Sequence, residues 1–137
     1  MTDLELLEEA KKARKMAYVP YSHFQVGAAL LTKSGKLYHG CNIENASYTP
    51  TNCAERTAFF KAVSEGEKEF EKIAIVGADE RMEPDKMCPP CGVCRQVMME
   101  FCKPDEFRII LSDEKEGCRS YLLSEMLPQG FGPGDLL

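Results

Sequence analysis

Three cysteines in two separate stretches constrain this chain more than any other feature. Cys53 opens Cys53-Ala54-Glu55-Arg56, and Cys91 and Cys94 frame Pro90-Cys91-Gly92-Val93-Cys94-Arg95-Gln96. Each stretch reads as the first turn of a helix, where free backbone amides favour a thiolate over a thiol. If the thiols share one ion, the two helix starts must lie together. Three protein ligands are the usual complement of a catalytic zinc, which keeps its fourth tetrahedral corner for water, whereas a structural zinc closes with four. Cys53, Cys91 and Cys94 make three, and Glu55 lies close enough in sequence to work on a water at the open corner.

The rest of the composition narrows the class. With 137 residues, one domain spanning 1–137 is expected, burying roughly two-thirds of the surface its unfolded form exposes. Lys and Arg number 17 against 22 Asp and Glu, a net charge of -5. That sign opposes binding to a phosphate backbone, so no nucleic-acid polymer is expected as partner. There is no apolar stretch of membrane-spanning length, and the opening Thr2-Asp3-Leu4-Glu5 is unlike an export leader. The expectation is a soluble cytoplasmic protein with no membrane association. Seven cysteines, an odd number, then favour reduced thiols or metal ligands over disulfides.

Taken in order, the chain alternates helix and strand. Thr2 and Glu5 have the form of a capping box, and Leu6, Ala10, Ala13 and Ala17 recur at helical spacing, predicting a first helix from about Asp3 to Tyr18. Pro20 stops it. Phe24 to Leu31 is an apolar run of strand length, Lys33-Ser34-Gly35-Lys36 reads as a turn, and Leu37 to Ile43 returns as the second arm of a hairpin. Glu44 to Thr51 is a polar loop leading to an Asn52 cap, and a second helix runs from Cys53 to a stop near Gly66. Lys72 to Ala78 is nearly continuous in apolar residues, which suits a central strand covered on both faces. Beyond the charged loop from Asp79 to Lys86, a third helix starts near Cys91 with Val97, Met98 and Phe101 facing inward, followed by a strand at Phe107 to Leu111. Strand, helix and strand should form a right-handed unit with parallel strands, whose ligands gather outside the strand ends. Cys118 to Leu123 reads as a last strand, Ser124 to Leu127 as a helical turn, and Phe131 to Gly134 as an irregular end.

Every candidate has a plainer reading. Glu55 sits three residues after Asn52, where a carboxylate commonly bonds back to the cap amide. Arg56 by default is a solvated helix residue; near three thiolates, however, a guanidinium donating to a ligand sulfur would offset the excess negative charge. Phe24 by default is core, and Asn42 and Glu44 are ordinary turn formers, although an amide and a carboxylate at one strand end suit the vicinal hydroxyls of a sugar. The two histidines, His23 and His39, lie far in sequence from the cysteines. Cys88, three residues before Cys91, is the residue that would close the site as a fourth thiol.

The residues that decide among these readings resemble a known family. Phe24-Gln25-Val26-Gly27-Ala28-Ala29-Leu30, Gly40-Cys41-Asn42-Ile43-Glu44-Asn45-Ala46-Ser47-Tyr48, Thr51-Asn52-Cys53-Ala54-Glu55-Arg56-Thr57-Ala58, the segment around Cys91 and Cys94, and Leu127-Pro128 are similar to the small, three-cysteine cytidine deaminases. The zinc motifs are shared across the wider deaminase superfamily; Asn-Ile-Glu-Asn-Ala-Ser-Tyr is narrower and points to nucleosides. The resemblance implies an α/β fold, a three-layer α/β/α sandwich with a mixed five-stranded sheet. It implies one Zn²⁺ per subunit on Cys53, Cys91 and Cys94, with Glu55 as proton shuttle. Asn42 and Glu44 would hold the ribose, Phe24 would stack on the pyrimidine, the Ala54 backbone would contact the base, and Phe131 would reach a neighbouring subunit's site in a homotetramer. The implied reaction is hydrolysis of cytidine and 2′-deoxycytidine to the uridines with release of ammonia, a step of pyrimidine salvage.

Departures from the family pattern are modest. Members often have proline at Gln25, Gly-Leu at Thr49-Pro50 and Ser-Pro at Pro89-Pro90, and Cys88 is unusual. Two rivals remain. A blasticidin-type aminonucleoside deaminase shares the zinc motifs without needing the Asn42 to Asn45 segment. A non-enzymatic zinc or thiol-redox protein would use Cys88 to complete a four-sulfur site.

Overall fold

The computed structural model describes residues 1–137. Its elements are helix α1 (Asp3–Arg14), strands β1 (Phe24–Thr32) and β2 (Leu37–Cys41), helix α2 (Ala54–Ser64), strand β3 (Phe70–Asp79), helix α3 (Gly92–Phe101), strands β4 (Arg108–Asp113) and β5 (Gly117–Leu122), helix α4 (Leu123–Met126) and a 3₁₀ turn (Pro133–Asp135). The strands form one sheet in the order β2-β1-β3-β4-β5. The most continuously apolar run therefore becomes the middle strand, as its composition requires. β3 pairs parallel with β4 across the α3 crossover, and the remaining neighbours are antiparallel. This is the expected mixed five-stranded sheet.

Side-chain alternation along the strands divides the core in two. Ala29, Leu31, Ala74, Val76 and Ile110 meet Leu6, Leu7 and Ala10 of α1 on one face. Ala28, Leu30, Ile73, Ile75, Ile109 and Leu111 meet Ala54, Ala58, Phe59 and Ala62 of α2 and Met98 and Met99 of α3 on the other. Three layers result. Phe59 centres the larger core, with its ring 5.0 Å from Phe70 edge-on and 6.1 Å from Phe101 in a stack.

Some boundaries differ from expectation, each for a tertiary reason. The capping box forms, with Thr2 N donating to Glu5 at 2.8 Å and Glu5 N donating to Thr2 Oγ at 3.1 Å, but α1 ends at Arg14 rather than Tyr18. Tyr18 is taken by another pairing: its amide donates to Asn42 O at 3.0 Å and its carbonyl accepts from Glu44 N at 2.9 Å. Arg14 is itself buried, its guanidinium donating to the carbonyls of Gln25, Ala78, Asp79 and Met82. The second hairpin arm stops at Cys41, before the expected Ile43, because Ile43 exchanges two 3.0 Å backbone bonds with Asn52. In α3 the buried positions are Cys94, Met98 and Met99, while Val97 and Phe101 pack at the margin.

The topology collects one set of ends. β1 runs antiparallel to both neighbours, so its first residue, Phe24, stands opposite Asp79 at the end of β3, and Gly27 stands opposite Cys41 at the end of β2. The loops to α2 and α3 leave from this same edge. Gly40 lets α2 settle there, since a Cβ on it would lie 2.2 Å from Ala54 O and 2.6 Å from Ala58 N. A methyl group cannot be accommodated without moving the first turn of α2. Gly40→Ala is expected to cost about 1–3 kcal/mol in urea unfolding and to lower the zinc content of the purified protein, because that turn follows directly on Cys53.

Candidate active site

Cys53 and Cys91 are the N-cap residues of α2 and α3, both in extended conformation, and neither side chain caps its own helix. Both thiols are left free to face outward from the helix starts. Cys94, in the first turn of α3, is buried and completes the group. The three sulfurs lie within 4.8 Å of one another, and Cys53 Sγ is 3.8 Å from Cys91 Sγ. Tetrahedral zinc with Zn–S bonds near 2.3 Å demands about 3.8 Å between sulfurs. The donor set therefore fits zinc.

No fourth protein ligand joins this group. Cys88 is outside it, His23 Nδ1 pairs with Glu80 at 3.1 Å, and His39 Nε2 pairs with Glu9 at 3.0 Å. The expected Asn52 cap is also displaced. Asn52 serves the bridge to Ile43 and donates its side-chain amide to Thr57 Oγ at 3.1 Å. With Cys53 as cap, Glu55 is the second helical residue rather than the third, and no capping box forms in α2.

Glu55 is 4% exposed. Burial is the main force pushing its carboxyl up to about 7, and the Cys53 thiolate adds to the shift. Cys53 is brought down to about 5 by a hydrogen bond from the Cys94 thiol, with Arg56 contributing. Cys94 is correspondingly pushed up by that bond and by burial. Arg56 Nη2 donates to Cys53 Sγ at 3.3 Å. Its Nε is the one buried side-chain polar atom in the chain that has no hydrogen-bond partner.

The adjoining strand ends carry the other candidates. Asn42 Oδ1 accepts from Val26 N at 2.9 Å and its Nδ2 donates to Phe24 O at 2.8 Å. Glu44 Oε1 accepts from Tyr21 N at 3.0 Å and Ser22 N at 3.1 Å, and the Ser22 hydroxyl donates to Oε2. That hydroxyl is the first cause of the lowered Glu44 pKa, so the carboxylate stays ionised. A cavity of about 400 Å³ opens here, lined by Tyr21, Ser22, Glu44, Tyr48 and Thr51. Phe24, 42% exposed, borders a second space of about 520 Å³ with Gly77, Ala78 and Met82.

Ala54 is fully buried between Cys53 and Glu55. Phe131 lies on the C-terminal segment with its ring exposed, and its carbonyl accepts from Gln96 Nε2 at 2.7 Å. Cys53, Cys91, Cys94, Glu55 and Arg56 are thus brought together, Phe24, Asn42 and Glu44 line the same sheet edge, and Phe131 is tethered to α3. Sequence reasoning missed Ser22 and Tyr21, which hold Glu44, and Arg95, whose Nε bonds Pro90 O at 2.8 Å and whose Nη1 bonds Met126 O. Adjacency of Tyr21-Ser22 to the strand was the only available signal for the first two. For Arg95 it was the place directly after Cys94.

Comparison with known proteins agrees with this geometry. Residues 1–109 match the family described as the cytidine and deoxycytidylate deaminase zinc-binding region. A cytidine deaminase of Sporosarcina psychrophila is 48% identical over 132 residues, covering 96% of this chain and 93% of its own. One from Halalkalibacterium halodurans is 50% identical over 131 residues, covering 96% and 95%. The crystal structure of cytidine deaminase from Burkholderia pseudomallei superposes with a TM-score of 0.85 at 48% identity, covering 96% of this chain and all of that one. The open three-thiol group beside a buried glutamate, on this sheet and in this order along the chain, belongs to a zinc-dependent enzyme of the cytidine deaminase family.

Proposed function

We propose that the chain hydrolyses cytidine and 2′-deoxycytidine to uridine and 2′-deoxyuridine with release of ammonia, as a step of pyrimidine salvage. The observation that carries this reading is a buried glutamate two residues from Cys53, beside three thiols spaced to hold one zinc. Zinc on Cys53, Cys91 and Cys94 supplies, when bound, the Lewis acid that makes water nucleophilic near neutral pH. Glu55 takes a proton from the attacking water and gives it to ring N3. The second proton, from the hydroxyl now on C4, passes through Glu55 to the exocyclic nitrogen as the C4 carbonyl forms and the C4–N bond breaks, releasing ammonia. An acid with its pKa near the working pH can do both.

The remaining groups orient the nucleoside. Phe24 stacks on the pyrimidine, the Ala54 backbone contacts the base, and Asn42 and Glu44 bind the ribose hydroxyls with lone pairs and protons that their main-chain bonds leave unused. Arg56 offsets the negative charge of the thiolates from the second layer. An ionised Glu44 and a net charge of -5 favour an unphosphorylated substrate over a nucleotide or polymer. The whole chain, 1–137, works as one deaminase domain holding one zinc. No helix is long and apolar enough to cross a membrane, and we assign the protein to the cytoplasm. Exposed Tyr48, Phe60, Val93 and Phe131 are apolar surface for partner copies, with Phe131 reaching a neighbour's site in a homotetramer.

Zinc-loaded protein mixed with cytidine is expected to release ammonia in step with the ultraviolet change from cytosine to uracil. Glu55→Ala should keep its zinc and lose turnover by about 10²–10⁴-fold or more; substantial activity in that variant would remove Glu55 from the mechanism. A preference for blasticidin S over cytidine would transfer the assignment to the antibiotic deaminases. Arg56→Ala should lose about 10–100-fold in zinc affinity or turnover, and full retention of both would leave the guanidinium without its role. Sedimentation equilibrium should give four times the 15.4 kDa chain mass, and a monomer that is fully active would exclude a shared site.

A further inference from the structure

Cys88 is one of four thiols outside the metal group, and the one nearest in sequence to the ligand Cys91. Gly77 points toward the layer that holds α2 and α3, since Ile73 and Ile75 of the same strand pack there. Val26 stands opposite Gly77, and Phe24 stands opposite Asp79. A Cβ built on Gly77 would lie 2.6 Å from Cys88 Sγ, 3.1 Å from Phe24 Cε2 and 3.2 Å from Val26 Cγ2. Three side chains therefore converge on the bare Cα of one glycine. The sulfur occupies the space a side chain at 77 would need, and Phe24 Cε2 borders that same space; sulfur near an aromatic ring is a favourable arrangement.

The segment carrying Cys88 is held on both sides. Ser112 Oγ donates to Pro84 O at 2.9 Å, and Arg95 Nε donates to Pro90 O at 2.8 Å. Pro89 and Pro90 restrict the backbone between Cys88 and Cys91. Cys88 is only partly exposed, and Glu55 lies near enough for its charge to act on the thiol. The sulfur is thus held against Gly77, where Phe24 and Val26 also converge, without belonging to the metal group.

We infer that Cys88, seated on Gly77, is a positioning residue that props the Phe24 ring and so sets the width of the slot that receives the base. The inference rests on the reading of Phe24 as the surface that stacks on the pyrimidine. It also ties that slot to the metal site, because one short, proline-stiffened segment carries both the prop and the ligand Cys91.

The test uses the zinc-loaded full chain, with KM and kcat for cytidine and the calorimetric Kd for uridine. Cys88→Ala is expected to raise KM and Kd by about two- to tenfold, the range of a sulfur–aromatic contact, with kcat within about twofold and zinc unchanged. Gly77→Ala alone should also raise KM, because its methyl collides with the sulfur. The double variant, with a methyl at 77 where the sulfur stood, should return KM toward the wild-type value. If Cys88→Ala does not accumulate, Cys88→Ser carries the same comparison, with a smaller rise in KM. An active wild type whose KM and uridine Kd are unmoved by the Cys88 variants overturns the inference alone, as does loss of zinc or kcat with KM unchanged. A zinc-loaded wild type that neither turns over cytidine nor binds uridine overturns the deaminase reading and the inference with it.

Discussion

Negative charge gathered at two helix starts is the condition that the surrounding architecture has to satisfy. Three thiols and a buried carboxyl share a small volume, and without compensation such a group would repel itself and remain protonated. Compensation at Cys53 comes first from the Cys94 thiol, which donates to it, and the amides opening α2 and α3 carry partial positive charge at the same helix starts. Arg56 adds a full charge at 3.3 Å from Cys53. The carboxyl is treated the opposite way: buried and beside a thiolate, it is held near neutrality. One neighbourhood thus lowers a thiol and raises an acid: Cys53 accepts from the Cys94 thiol and from Arg56, whereas burial outweighs every favourable contact at Glu55.

Strand direction decides what reaches this neighbourhood. In an all-parallel sheet only the carboxyl ends of strands would border the helix starts. Here β1 is antiparallel to β2 and β3, so its first residue joins the last residues of its two neighbours. Phe24, Asn42 and Glu44 come from separate parts of the chain and arrive at one edge for that reason. Burial of α1 on the opposite face plays no direct part in the chemistry, but Arg14 reaches from it to four carbonyls around the ends of β1 and β3 and keeps that edge closed.

Much of this was legible beforehand because it depends on local pattern. The Thr2 and Glu5 cap, the apolar run of β3, the hairpin and the α3 crossover follow from spacing and turn chemistry, and the thiols announce a metal by their number and grouping. What escaped depends on contacts between distant residues. The end of α1 is set by the backbone of Asn42 and Glu44 claiming Tyr18, the start of α2 by Ile43 claiming Asn52, and the hold on Glu44 by Ser22. Cys88 was the fourth thiol that a rival closed site would need, close to Cys91 in sequence, whereas its neighbours in space are on β1 and β3. Nothing in a window around any of these residues encodes its partner.

Asn42 illustrates a different kind of limit. Its amide accepts from Val26 N and donates to Phe24 O, so the side chain acts as a stand-in for one more residue of β2, extending the ladder past Cys41. Aspartate has no proton to offer Phe24 O at neutral pH, and shorter or apolar replacements leave both main-chain groups unpaired. The splice at the end of β2 therefore freezes this position: Tyr48, exposed beside the neighbouring cavity, is freer to drift than Asn42, where any change of side chain would first unfasten the sheet.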